Sequence, residues 1–191
     1  MKKIVLDEIL GFAAYEKVRE NLRRRIIELK KARRIAVGDK VTLVFENRDT
    51  VIFQIQEMVR AERISDLDKI REEIEVYNEL IPEPGGLSAT LFLEITEQSH
   101  LREDLLKFLG IDEAVYFNIG GHSIHARFEA GHCKEDKISA VQYVKFPFSE
   151  QARMALVKGE EAELVINHPN YQARALVDTR TRQSLVEDLT A

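Results

Sequence analysis

The chain has a single cysteine, Cys133, in 191 residues. A disulfide within the chain is therefore excluded, as is any all-cysteine zinc or iron–sulfur site, and this usage suits a reducing cytoplasm. Glycine and proline are sparse, at 9 and 4 residues, so long disordered linkers are not expected. No window approaches the roughly 18 apolar residues that a membrane-spanning helix needs. The opening Met1-Lys2-Lys3-Ile4-Val5-Leu6 imitates the start of a secretory signal, but Asp7 and Glu8 end its apolar run too early. Reaction motifs are missing as well. The chain contains no Gly-x-Ser-x-Gly elbow, no phosphate-binding Gly-x4-Gly-Lys-Ser/Thr and no Gly-x-Gly-x-x-Gly. Its many carboxylates fall at no spacing that specifies acid–base work.

Charge and apolar residues are plentiful, at 32% and 45% of the chain, as in an ordinary globular protein. The net charge of −5 is unevenly distributed. Residues 17–34 hold nine basic and two acidic side chains, which leaves an acidic remainder. Arg19, Arg23, Lys30 and Arg34 form a stripe whose simplest reading is a solvated face. Aromatic residues do not interleave with it, so nucleic acid is not an expected partner.

Periodicity predicts an α+β fold. Residues 7–35 read as a long N-terminal helix, with Val18, Leu22, Ile26 and Leu29 on one stripe and Gly38 as its stop. Residues 41–46 and 50–56 alternate like two strands around an Asn47-Arg48-Asp49 turn. A broken helix is predicted over 57–80, its second piece capped by Ser65 with Asp68 three residues on. Leu67, Ile70, Ile74, Tyr77 and Ile81 form its apolar face, and Asp68, Glu72, Glu75 and Glu79 its solvent face.

The Pro82–Gly86 run is the only linker-like segment. A single domain over 1–191 is expected, with 82–86 as the place where two subdomains would divide. Strands follow over 87–96, 114–119, 122–130 and 138–148, and a helix over 99–110. A helix from Ser149 to Gly159 precedes a hairpin, 162–167 with 171–177, and a last helix over 179–189. Hairpin-like pairing favours an antiparallel or mixed sheet, flanked by several helices, over a Rossmann-type fold.

Two regions carry candidate chemistry. Residues 118–133 hold His122, His125 and His132 beside Cys133, with His100 upstream and His168 in the late hairpin turn. Imidazoles and a thiolate are ligands for zinc or iron. On a regular strand, however, residues three apart face opposite ways. His122 and His125 then share a metal only if Gly120-Gly121 introduces a bulge. His125, Glu129 and Gly131 lack the paired His-x-His of the cupin metal motif. The metal candidates are therefore His122, His125 and His168, with Glu129 or Cys133 as possible additions; the competing reading is sheet and turn histidines with an inert thiol. Cys133, between His132 and Lys134, is also a candidate redox thiol, although the chain has no resolving cysteine.

The second region is a polar corner. Glu46, Asn47, Arg48, Gln54, Gln56, Glu57 and Arg60 are candidate binding residues, and Glu62 and Arg63 follow. Gln54 and Gln56 are expected on one strand face. Such a set binds a small anion or a partner, or simply salt-bridges a strand-to-helix corner.

Several stretches resemble an uncharacterised bacterial family whose genes often neighbour those for rubrerythrin and a cysteine-rich iron–sulfur oxidoreductase. They are Phe45-Glu46-Asn47-Arg48, Thr50-Val51, Phe53-Gln54-Ile55-Gln56-Glu57-Met58 with Arg60, Glu62 and Arg63, then Tyr77-Asn78-Glu79-Leu80-Ile81-Pro82, Leu87-Ser88-Ala89-Thr90-Leu91-Phe92 and His168-Pro169-Asn170-Tyr171. The resemblance spans nearly the whole chain. It implies a cytoplasmic association with peroxide handling or redox stress, and a rubrerythrin-like or iron–sulfur partner. It singles out His168 and the 46–63 block but supplies no catalytic residue. Two expectations follow: a non-catalytic accessory or partner-binding protein of such a system, or a small zinc or non-haem iron metalloenzyme.

Overall fold

The computed structural model describes residues 1–96, 98–129, 133–134 and 137–190. His132 lies outside them, and so do the side chains of Cys133 and Lys134. The fold is α+β, and the described residues form six α-helices, two larger antiparallel sheets and a two-stranded ribbon. The first sheet has five strands in the order β1-β2-β3-β9-β6: β1 (Arg34–Val37), β2 (Val41–Glu46), β3 (Leu87–Leu93), β9 (Val141–Phe146) and β6 (Arg127–Phe128). The second has the order β11-β10-β4-β5: β11 (Tyr171–Leu176), β10 (Ala162–His168), β4 (Val115–Ile119) and β5 (His122–His125). The remaining strands, β7 (Cys133–Lys134) and β8 (Lys137–Ile138), make a short ribbon.

The sheets pack face to face. Phe45 from the first meets Phe117 from the second edge-on, at 6.2 Å between ring centres, and Phe146 and Phe148 extend the aromatic contact. Ala126 links the sheets directly: the chain leaves β5 there and enters β6, and its N–H still bonds to Val115 O. On the opposite side β1 lies beside β11. Tyr171 Oη donates to Val37 O at 2.7 Å and accepts from Lys40 N at 3.0 Å. Gly38 sits in this turn at φ +75°, and a Cβ there would lie 2.2 Å from the Tyr171 oxygen. It is thus a turn residue, not the helix stop expected.

The helices are α1 (Phe12–Lys31), α2 (Arg48–Ala61), α3 (Leu67–Asn78), α4 (Leu101–Leu106), α5 (Glu150–Lys158) and α6 (Thr179–Thr190). A second apolar cluster, separate from the core between the sheets, joins Ile4 to Val51, Ile55 and Val59 of α2 and to Ile70 and Ile74 of α3. Residues 82–86 lead from this helical layer into the sheet core, where Leu87 is buried.

Three predicted elements are corrected. Residues 50–56 are helix, not strand. Val51, Ile55 and Val59 are all buried at i, i+4 spacing, and Asn47 accepts from Thr50 N while Thr50 Oγ1 accepts from Asn47 N. That reciprocal cap starts α2 where a turn was predicted, and the partners of β2 are the preceding β1, joined to it by a tight hairpin, and the distant β3. The first helix ends at Lys31 because Arg33 turns inward and residues 34–37 join the sheet. Asp66, not Ser65, caps α3, accepting from Asp68 N and Lys69 N. Among smaller differences, the 99–110 helix shrinks to α4, and Leu67 is exposed.

Arg33 is 1% exposed and is surrounded by acceptors. Its Nε donates to Phe45 O at 2.8 Å, Nη1 to Ser184 Oγ at 2.9 Å, and Nη2 to Glu46 O at 3.0 Å and to the Asp188 carboxylate. One side chain thus fastens α6 to the end of β2. Removing one partner of a buried ion pair leaves the other charge uncompensated. Arg33→Ala is expected to cost about 3–5 kcal/mol in urea unfolding. Arg33→Lys should also destabilise, because an ammonium lacks the planar fork. The exposed neighbour variant Arg34→Ala should stay within about 0.5 kcal/mol of the parent. Equal midpoints for Arg33→Ala and Arg34→Ala would refute the hub role of Arg33.

Candidate functional site

The strand register assembles a polar row that the sequence does not display. Glu46 on β2 pairs with Ser88 on β3, Ser88 with Lys145 on β9, and Lys145 with Arg127 on β6. Directly paired residues share a face, so these four side chains lie across the outer face of the first sheet. The adjoining row places Val44, Thr90 and Tyr143 side by side. Over this end of the sheet lie Glu79 and Leu80, which follow α3. Together they enclose a cleft of about 200 Å³, whose lining includes Glu46, Glu79, Ser88, Arg127, Glu129, Tyr143 and Lys145.

Glu46 belongs to the cleft lining although its side chain is almost fully buried, at 2% exposure. Its carboxylate accepts from Thr50 Oγ1 at 2.5 Å and from Thr90 Oγ1 at 2.7 Å. Ser88 Oγ donates instead to Leu80 O at 2.5 Å, which ties the roof to the sheet. Lys145 Nζ stands 3.6 Å from Glu79 and 3.7 Å from Glu83. Burial raises the Tyr143 phenol above its ordinary pKa, and the negative charges of Glu129 and Glu46 add to the shift. The phenol is therefore held neutral. Tyr77 is shifted upward too, by burial and then by Tyr143, with Gln54 opposing.

The predicted polar corner divides between this cleft and the packing around it. Glu46 lines the cleft, whereas Gln54 is not among its lining residues and lies near Tyr77. Gln56 points elsewhere: it accepts from Leu10 N at 2.6 Å and donates to Leu10 O at 3.1 Å, clamping the segment before α1. Gln54 and Gln56 thus do not share a face, because residues two apart on a helix are turned about 200° from each other. Asn47 caps α2 and lies near enough to Asp188 to lower its pKa. Arg48 donates to Lys2 O and to Glu8. Arg60 pairs with Glu16, and Glu57 accepts from Tyr15 Oη and, in a two-point contact, from Arg19 at 2.7 Å for each bond. Most of this block fastens α1 and the N-terminal segment to α2.

The histidines are dispersed. Gly120 and Gly121, both at positive φ, form the two-residue turn between β4 and β5 rather than a bulge. His122 then pairs with core-facing Ile119, and His125 pairs with Tyr116 on the opposite face, with ring centres 5.0 Å apart. His168 is 3% exposed, and both of its ring nitrogens are engaged. Nδ1 accepts from Asn170 N at 3.2 Å, and Nε2 meets Leu109 O at 2.8 Å. His168 lies six residues along β10 from Ala162, the position level with His122. That is about 20 Å of strand. Among the described residues no three His, Cys, Asp or Glu side chains gather at one point. His125 Nε2 is buried without a hydrogen-bond partner.

Sequence reading missed Thr90, Arg127, Tyr143 and Lys145, because only strand order places them beside Glu46. The local signal available was the Asn47-x-x-Thr50 cap, which marks a helix start immediately after Glu46.

Arg19 holds the Glu57 carboxyl below its ordinary pKa, with Tyr15 helping and burial opposing. A lowered folded value means stability that is present above the ordinary carboxylate range and lost as pH falls through the folded value. Glu57→Gln should therefore cost about 1 kcal/mol at pH 7, discounted for partial exposure. The gap to the parent should close as the pH falls below the ordinary carboxylate range. Thermal melts across that range check this, and a gap that does not change with pH would contradict it.

No match was found among curated proteins. Among solved structures the chain is similar to one from Burkholderia pseudomallei K96243, described as a novel protein of unknown function. The two are 30% identical with a TM-score of 0.92, over 98% of this chain and 100% of that one. Residues 3–189 match the family model described as "Protein of unknown function (DUF3501)", and the chain belongs to that family.

Proposed function

We propose that this chain is a non-catalytic accessory protein that binds a partner in a cytoplasmic redox or peroxide-stress system, with the cleft over Glu46 as its recognition site. The observation that carries this reading is the make-up of the cleft. It sets a buried carboxylate, a neutral phenol and side chains of both charges around one small recess. Concave sites with a few convergent polar groups on rigid elements are what binding proteins use. Most other polar residues of the 46–60 block are occupied in holding helices together, which supports the cleft over the corner as a whole. The partner class, a rubrerythrin-like or iron–sulfur protein, comes from the resemblance of the 45–63 and 77–92 stretches.

A zinc or non-haem iron metalloenzyme remains the second reading, and one observation favours it. The unpartnered, buried His125 Nε2 has the chemistry of a metal ligand. A complete donor set would need groups beyond His122 and His168, which the strands hold apart.

Affinity purification from the native host at native expression should enrich a rubrerythrin-like or iron–sulfur protein, and deletion should lower peroxide tolerance. Neither effect in replicate experiments would overturn the accessory reading. Elemental analysis of untagged protein purified without chelator should give less than about a tenth of a zinc or iron per chain. A stoichiometric metal lost on His125→Ala would establish the metalloprotein in its place.

A further inference from the structure

We infer that the cleft over Glu46 is a site for a small amino-acid zwitterion, its ammonium group meeting Glu46 and its carboxylate meeting Arg127 and Lys145. The inference rests on reading the cleft as a recognition site and is independent of the redox partner.

Size sets the first limit. The recess measures about 200 Å³. Drug-sized ligands occupy roughly 300–1,000 Å³. A nucleotide or flavin is too large, and a free amino acid is not.

Charge sets the second limit. A carboxylate offers about four acceptor positions, and Glu46 fills two of them with the Thr50 and Thr90 hydroxyls. Both donors are neutral, and among the described residues no cation stands within ion-pair distance of this buried carboxylate. Burying an uncompensated charge is costly. A ligand ammonium supplies the missing cation together with its hydrogen-bond donors.

The other end of the row is complementary. Lys145 and Arg127 are direct cross-strand partners, and like charges in that position repel. Lys145 forms ion pairs with Glu79 and Glu83 at 3.6 and 3.7 Å, whereas among the described residues the Arg127 side chain has none, so the guanidinium is the open cation of the row. An anion between them relieves the repulsion and gives the guanidinium fork a planar carboxylate. Glu46 and Lys145 are two strands apart, about 10 Å at the backbone, and their side chains extend over the same face. One row thus presents a negative end and a positive end within the reach of one small molecule.

Isothermal titration of the full chain with glycine, L-alanine, β-alanine and 4-aminobutyrate tests this against propylamine and butyrate. At least one zwitterion should bind ten-fold or more tightly than either singly charged control. Arg127→Gln, at an exposed position, should weaken that binding at least ten-fold without lowering the melting temperature. Glu46→Gln should do the same where it folds. Equal binding of zwitterion and controls, binding of butyrate alone, no binding of any probe, or an unchanged affinity in Arg127→Gln would each overturn the assignment. Co-purification of a redox partner is unaffected by any of these outcomes, so the two readings fail separately.

Discussion

The Arg33 guanidinium is the interaction on which the rest of the molecule hangs. It donates to two consecutive carbonyls at the end of β2 and to Ser184 and Asp188 of α6. Asp188 also meets the Asn47 side chain, Asn47 and Thr50 cap each other, and Thr50 donates to Glu46. Thr90 closes the chain from β3. A buried ion pair of this kind is weak evidence for net stability but is costly to break. Its value lies in geometry, since it fixes where β2 ends and where α2 begins. Burial pushes the Asp188 carboxyl above its usual pKa range, and Arg33 and Asn47 pull it back.

The end of β2 has a further consequence. The first sheet is covered on both faces: its inner face packs on the second sheet, and Thr42, Ser88 and Thr90 are buried on its outer face. Buried hydroxyls need partners. Those of Ser88 and Thr90 find Leu80 O and the Glu46 carboxylate. Because the polar layer is tied up over Glu46 and Thr90, the helical layer is held at a fixed height above the sheet, and the cleft remains where β9 and β6 carry longer side chains. Its walls are strands whose register is set by packing on both faces. A ligand entering it therefore pays little for ordering the protein.

Much of the second half of the chain is legible in sequence, although the strand expected over 122–130 is divided at Ala126 between the two sheets. Ser149 caps α5 by accepting from Ala152 N, Gly159 ends it in the left-handed region, and His168-Pro169-Asn170 sits at the hairpin turn between β10 and β11. These are local signals, each contained within a few residues. The 50–56 segment fails because Val51, Phe53 and Ile55 satisfy period two while Val51, Ile55 and Val59 satisfy the helical period equally well. The cap decides between them, and it is legible only when Asn47 and Thr50 are taken together. Arg33 is invisible for another reason: it is one basic residue among nine, and its acceptors lie 12 to 155 positions away.

Polar density along a chain is thus a poor guide to where chemistry is exposed. The 118–133 stretch and the 46–63 block are the richest in histidines and in hydrogen-bonding groups. Yet His168, Gln56, Glu57 and Arg48 are each occupied in closing a turn or joining helices. Side chains with satisfied partners have little left for a ligand. The groups that retain capacity are those placed beside one another by sheet order rather than by sequence. Glu46 keeps acceptor positions because its donors are two neutral hydroxyls, and Arg127 keeps its charge because, among the described residues, its side chain has no ion pair. The candidate site is where the strand order leaves charges unmatched, and no single segment of the sequence contains it.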